Sequence, residues 1–250
     1  MIDIPLDTVV DVADRSIVTG FYLADALQHL LPAYVSFHTD NGLQDGVQSL
    51  AQVIEHNNDL SGGHTVCIPC DSDVPQSVIE QLVASHVDHD NRITRLCTSE
   101  VIDHNPVSVD AGGRIVAHDN PKASNIRGDL GVVVYDNDWF RSIPWGHDMD
   151  SWDVLEVAIQ NGEAAATCTP RDTPEQIDIG TPRSYYNYLI RNNERTENGN
   201  VYFPKALRNN QARNCVFLPS SSCDLIIDGA IVGENMNTTS STQLLQIQPS

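Results

Sequence analysis

Two acidic stretches, far apart in this 250-residue sequence, have the side chains to hold a divalent cation. The first is Asp71-Ser72-Asp73, which follows the apolar run Thr65-Val66-Cys67-Ile68-Pro69-Cys70. Ligands bind beyond the carboxyl ends of strands in open parallel sheets, and Mg²⁺ takes hard oxygen ligands that it shares with substrate phosphates. The same tripeptide also suits a strand-to-helix turn in which Asp caps the helix, and the residues alone do not separate the two. The second stretch is Gln176-Ile177-Asp178-Ile179-Gly180-Thr181-Pro182-Arg183-Ser184-Tyr185. An acid on a short strand, a glycine turn and a Thr-Pro-x-Ser helix start put a carboxylate beside a helix N-terminus.

Other polar groups carry weaker signals. Cys67-x-x-Cys70 has the spacing of a zinc pair, but residues three apart in a strand point to opposite faces, so these cysteines read as small buried hydrophobes. His86, His89 and His104 lie among Asp88, Asp90 and Asp103 on what reads as a hydrophilic loop, a solvated acidic surface. Arg127, Arg141 and Arg183 each suit a phosphate, although surface pairing with aspartate explains them more simply.

The elements that must position these residues follow from hydrophobic spacing. Arg15 to Thr19 reads as a strand, and Leu23, Ala26, Leu27, Leu30 and Leu31 mark a helix after it. The cycle repeats with a strand at 34–37 and a helix at 47–54, then a strand at 64–70 and a helix at 76–85. Such units predict an α/β fold with a mostly parallel sheet flanked by helices. Strand-rich segments follow at 93–98, 107–110, 114–118 and 130–135, with Asp110-Ala111-Gly112-Gly113-Arg114 as a hairpin turn. Helices are expected at 152–160 and 184–192, and a strand at 164–169. This organisation gives one α/β domain over 1–192, a polar linker at 193–200 and a β-rich tail at 201–250. The tail's short apolar dyads, spaced by about six residues, leave room for one or two left-handed β-helix coils or a simple β extension.

The composition narrows the partners. The formal charge is -20, from 34 acidic against 14 basic residues, and Lys122 and Lys205 are the two lysines. Such a surface suits a halophilic, salt-rich cytoplasm and repels nucleic acid and anionic membranes. No stretch is long and apolar enough for a bilayer crossing and Met1-Ile2-Asp3-Ile4 lacks signal-peptide order, so a cytoplasmic protein with reduced cysteines is expected.

The segment from Asp178 resembles the Asp-Ile-Gly-Thr-Pro-x-x-Tyr motif of nucleotide-sugar pyrophosphorylases, the sugar-1-phosphate nucleotidyltransferases. The resemblance covers about Arg15 to Ile190. It implies a nucleotide-diphospho-sugar transferase-like, Rossmann-like fold, and that Asp178 and Asp71 bind a catalytic Mg²⁺, with Cys70 where the family usually has glycine. It also implies that Asp45 and Gly46, in Gln44-Asp45-Gly46-Val47-Gln48, pass over the nucleotide base. Gly113-Arg114-Ile115-Val116 is similar to the hairpin before the family's Glu-Lys-Pro, where this chain has Asp119-Asn120-Pro121 with Lys122 as the neighbouring candidate for the sugar phosphate. Asp129-Leu130-Gly131 takes the place of the sugar-contacting Asn-Ala-Gly, so Asp129 and Gly131 join Lys122, and Trp152-Asp153-Val154-Leu155 resembles the helix entry that follows.

One family feature has no counterpart. Members open with a Gly-x-Gly-Thr-Arg loop whose amides and cations hold the triphosphate, and no glycine precedes Arg15 here; a diverged or inactive relative, a start upstream of Met1 and a loop supplied by another chain each account for this. The implied function is nucleotidyl transfer from a nucleoside triphosphate to a sugar 1-phosphate, if the chain is active. The alternative is an inactive module of the same fold that binds a nucleotide sugar or serves a regulatory or structural role; the sequence leaves open whether either form is a homo-oligomer. A metal-dependent glycosyltransferase using Asp71-Ser72-Asp73 is third, and it leaves the Asp178 motif unexplained.

Overall fold

The computed structural model describes residues 16–20, 35–39, 46–56, 60–69, 71–99, 105–118, 125–145, 149–171, 173, 177, 179, 181–209, 211–223, 227–232, 237–238 and 245–246. The chain divides into two compact units, Met1–Ile177 and Asp178–Ser250. The helix expected around Leu23 to Leu31 lies outside the described residues.

In the first unit, β1 (Ser16–Gly20) and β2 (Val35–Thr39) form a parallel pair. Helix α1 (Gly46–His56) follows, then β3 (His64–Cys67), α2 (Gln76–Asp88) and β4 (Ile93–Thr98). The hairpin strands β5 (Asn105–Val109) and β6 (Ile115–His118) lead to the long β7 (Ile126–Asp136). After it come α3 (Asn137–Ser142), α4 (Ser151–Gln160) and β8 (Ala165–Cys168). Local chemistry sets several of these boundaries. Asp110 Oδ1 accepts from the amides of Gly112 and Arg114 at 2.8 and 3.0 Å, closing the hairpin. Asp136 caps α3, and Asp150 with Asp153 forms a capping box on α4.

The sheet is mixed, which corrects the expectation of a mostly parallel one. Its order is β6-β5-β7-β4-β8 with β3 also on β7, and among its described strand pairings only β4–β8 is parallel. Strand β7 runs antiparallel to β3, β4 and β5. Strand-helix cycles in a sequence fix the direction of successive strands, but not which later strand inserts between them. Here the returning strand of the hairpin region does so.

Alternation along β7 makes two cores. Val132 and Val134 pack with Leu96 of β4 against Val78, Ile79 and Leu82 of α2. Val133 and Tyr135 pack on the other face with Leu50 and Ile54 of α1, Phe140 of α3 and Leu155 of α4. The result is a helix-sheet-helix arrangement.

The second unit opens with α5 (Pro182–Asn192), started by Pro182 and a Thr181–Ser184 capping box. Short strands follow: β9 (Val201–Tyr202), β10 (Ala212–Arg213), β11 (Val216–Phe217), β12 (Ser222–Cys223), β13 (Ile227–Asp228), β14 (Ala230–Val232), β15 (Asn237–Thr238) and β16 (Leu245–Gln246). Val201, Val216 and Ile231 align in one parallel ladder, Ala212 with Ile227 in a second and Ser222 with Asn237 in a third. Every partner is 15 residues from the next, so the chain winds as a three-faced solenoid whose coils stack strand on strand. Strand β16 closes the last coil by pairing antiparallel with β14. Leu189 of α5 packs on Val201, Val216 and Ile231, while Phe217, Cys223, Ala230 and Val232 fill another cluster.

Candidate functional site

Strand β3 delivers Asp71-Ser72-Asp73 into a turn closed by the Ser72 amide, which donates to Pro69 O at 3.0 Å. Asp71 and Asp73 are half-buried, while Ser72 is buried. The Asp73 amide donates to the carbonyl of Ile177 at 2.8 Å, and the Ile177 side chain is in the α2 core. The residue before Asp178 is therefore fixed to the turn that carries Asp71. Asp178 itself lies outside the described residues, as do Asp45, Lys122 and Cys70.

The sheet splits beside this turn. Strand β4 lines one edge of β7, while the other edge carries β5 on residues 126–129 and β3 on residues 133–136. Gly131 falls in the gap between β5 and β3. It has φ +79°, a left-handed conformation that glycine adopts without strain, and a Cβ there would lie 3.5 Å from Pro69 Cγ. The register of β4 on β7 shifts between Arg95 and Cys97, and such irregularities commonly re-aim a strand next to a site. Thus Gly131 and the Asp71 turn are neighbours.

Asp129 has a different setting. Its carboxylate is 4% exposed and receives a fork from Arg95: Nε at 2.8 Å and Nη2 at 2.9 Å. It also accepts the Gly131 amide at 3.2 Å. Arg95 Nη1 donates to Ser151 O at 3.3 Å, and the guanidinium lies 4.2 Å from the Trp152 ring centroid. Burial alone would lower the Arg95 pKa, but the Asp129 charge and its hydrogen bonds outweigh that and hold it above the ordinary value. His118 stacks on Trp152 at 5.4 Å and its Nε2 is 3.2 Å from Glu156.

Arg95 escaped the sequence reading, although a charged residue inside the apolar strand Ile93–Thr98 signals a buried partner. Gly46 is the first residue of α1. Among the arginines considered for phosphate, Arg141 donates to Ile54 O at 2.8 Å and Arg127 to Asn125 Oδ1 at 3.4 Å, while Arg183 is exposed. His86 is not on a loop: it lies in the last turn of α2, fully buried. His89, Asp88 and Asp90 are exposed, and Asp103 and His104 lie outside the described residues.

The donor chemistry at Asp71 and Asp73 fits Mg²⁺, which needs only one or two carboxylates when water and phosphate complete its shell. Among the described residues, no three His, Cys, Asp or Glu side chains gather in metal-ligand geometry. No described helix is long and apolar enough to cross a membrane.

No protein-family model and no curated protein matches the chain. Solved structures do. HddC from Yersinia pseudotuberculosis complexed with GMP-PN matches with a TM-score of 0.57 and 14% identity, over 73% of this chain and 80% of that one. A second structure of HddC from Yersinia pseudotuberculosis matches with a TM-score of 0.58 at the same identity and coverage. At this identity the likeness shows the α/β fold alone.

Proposed function

We propose that this chain is a nucleotide-sugar pyrophosphorylase-like protein that uses Asp71 and Asp178 to hold Mg²⁺ and, with it, the phosphates of a nucleotide. The hydrogen bond from Asp73 to Ile177 carries this reading, because it ties the residue before one proposed ligand to the turn of the other. The GMP-PN complex of HddC supports it through the shared fold. Bound there, the ion would neutralise phosphate charge and orient the α-phosphorus for in-line displacement. A phosphate oxygen of the sugar 1-phosphate forms the new bond to that phosphorus, the bond to the β-phosphate bridge breaks, and pyrophosphate leaves. In this scheme Asp45 and Gly46 flank the base, while Lys122 and Gly131 contact the sugar phosphate.

The second reading is a binding module of the same fold that performs no transfer. It is favoured by Asp129, whose position implies a sugar contact but whose carboxylate is taken by Arg95 and the Gly131 amide. Pyrophosphate release separates the two readings. With Mg²⁺ in high salt, the four common nucleoside triphosphates and a panel of sugar 1-phosphates, release with at least one pair supports transfer. Its absence from every pair overturns transfer, and calorimetry with nucleotide sugars then tests the module.

A further inference from the structure

An open cavity of about 670 Å³ lies wholly within the second unit, at the corner where the turn before β9 meets the end of β10. Arg195 and Arg213 line it together with Thr196, Asn198, Gly199 and Asn214. Both arginines are exposed, and among the described residues neither has an ion pair or a side-chain hydrogen bond. Asp228 is in register with Arg213 on the neighbouring strand, yet its carboxylate accepts from Asn214 Nδ2 at 3.0 Å instead. Glu197 is the one acidic residue in the lining, set against two guanidinium groups. In a chain of net charge -20, two cations without an ion pair among the described residues at one concavity are a conspicuous excess.

Two left-handed residues set the backbone of this corner. Gly199 has φ +75° and Asn214 has φ +48°, both left-handed, and a Cβ on Gly199 would collide with the Asn214 side chain. The Gly199 amide donates to Thr196 O at 2.8 Å and the Asn214 amide to Asn198 O at 3.0 Å. With those amides committed, side chains must do the recognition: two planar guanidinium forks, which match phosphate oxygens bidentately, and the Asn198 amide.

We propose that this corner is a binding site for a phosphoryl group carried by a small molecule, held by Arg195 and Arg213. Lysine would supply the charge without the fork, so the site depends on arginine geometry as well as sign. The site needs no divalent metal and does not depend on Asp71, so it stands or falls separately from the proposed transfer reaction.

Calorimetric titration of the full chain with pyrophosphate, without Mg²⁺ and at fixed ionic strength, tests it. Saturable binding is expected, weakened at least tenfold in Arg195→Gln/Arg213→Gln and changed less than twofold in Asp71→Asn. Arg195→Lys/Arg213→Lys should fall between wild type and the glutamine variant. The melting temperature checks that the variants fold. Amide shifts of Asn198, Gly199 and Asn214 on titrating wild-type protein give the same answer without substitution. Absence of saturable binding, equal affinity in the glutamine variant, or shifts confined to other residues overturns the proposal.

Discussion

The amide of Asp73 and the carbonyl of Ile177, more than a hundred residues apart in the chain, are joined by a 2.8 Å hydrogen bond. The turn that this bond anchors starts at Pro69, which lies next to Gly131 in the gap between β5 and β3 on β7. A split between strands opens space at a sheet edge, and polar turns at such openings are where α/β folds place their ligands.

If Asp71 is a metal ligand, Asp71→Asn should weaken Mg²⁺-dependent nucleotide binding while leaving the circular dichroism spectrum unchanged. Loss of a ligand should cost at least the roughly 10- to 100-fold typical of groups that merely support one. Calorimetry with and without Mg²⁺ measures it, and equal binding by both proteins removes Asp71 from the site.

The Arg95–Asp129 pair predicts strong non-additivity. Arg95→Met leaves a buried carboxylate without its cation and should destabilise by about 3–5 kcal/mol. Adding Asp129→Asn removes that charge while keeping an acceptor for the Gly131 amide, and should recover about half or more of the loss. Urea midpoints of the two single variants and the double variant measure the coupling. Additive losses would mean that the pair acts as two independent residues.

How far the sequence carried this architecture depended on the range of the information needed. Strands such as 93–98 and helices such as 184–192 were legible because apolar spacing and caps act within a few residues. The mixed sheet was not, since nothing local in 126–136 reports that β7 lies between β4 on one edge and β5 and β3 on the other. His86 misled for a similar reason. Its neighbours His89, Asp88 and Asp90 are polar and exposed, and one more helical turn buries it. Asp129 drew attention by position in a motif, whereas the partner that explains its burial, Arg95, sits 34 residues earlier.

His86 should make the protein acid-sensitive. Its Nδ1 is 2.9 Å from Thr94 Oγ1, its Nε2 is buried without a hydrogen-bond partner among the described residues, and the His64 ring meets it edge-on at 4.9 Å. Burial, with help from His64, pushes its pKa from 6.5 down to about 4. Above pH 6.5 both folded and unfolded states carry it neutral and it has no pH effect. Between pH 6.5 and 4 only the unfolded state gains the proton, so stability falls with pH by up to about 3 kcal/mol and then levels off. His86→Gln should remove that part of the slope, with carboxylate effects common to both proteins cancelling. Parallel stability curves for the two proteins would refute it.

Asn200 should be the costliest polar residue to lose from the solenoid. It is 1% exposed, its Nδ2 donates to Ala212 O at 2.8 Å, and its Oδ1 accepts the Cys215 amide at 2.9 Å. One side chain thus satisfies two backbone groups of the adjoining coil. Asn200→Ala leaves both unpaired, at about 1–3 kcal/mol each. Asn200→Asp keeps an acceptor for Cys215 but turns an oxygen towards Ala212 O, so it should also be destabilised. The exposed Asn198→Ala should not be. Hydrogen exchange at Cys215, Val216 and Phe217 reads the effect locally. Protection there should drop for both Asn200 variants and stay at the wild-type level for Asn198→Ala, and unchanged protection in Asn200→Ala would show that the coils stack without this link.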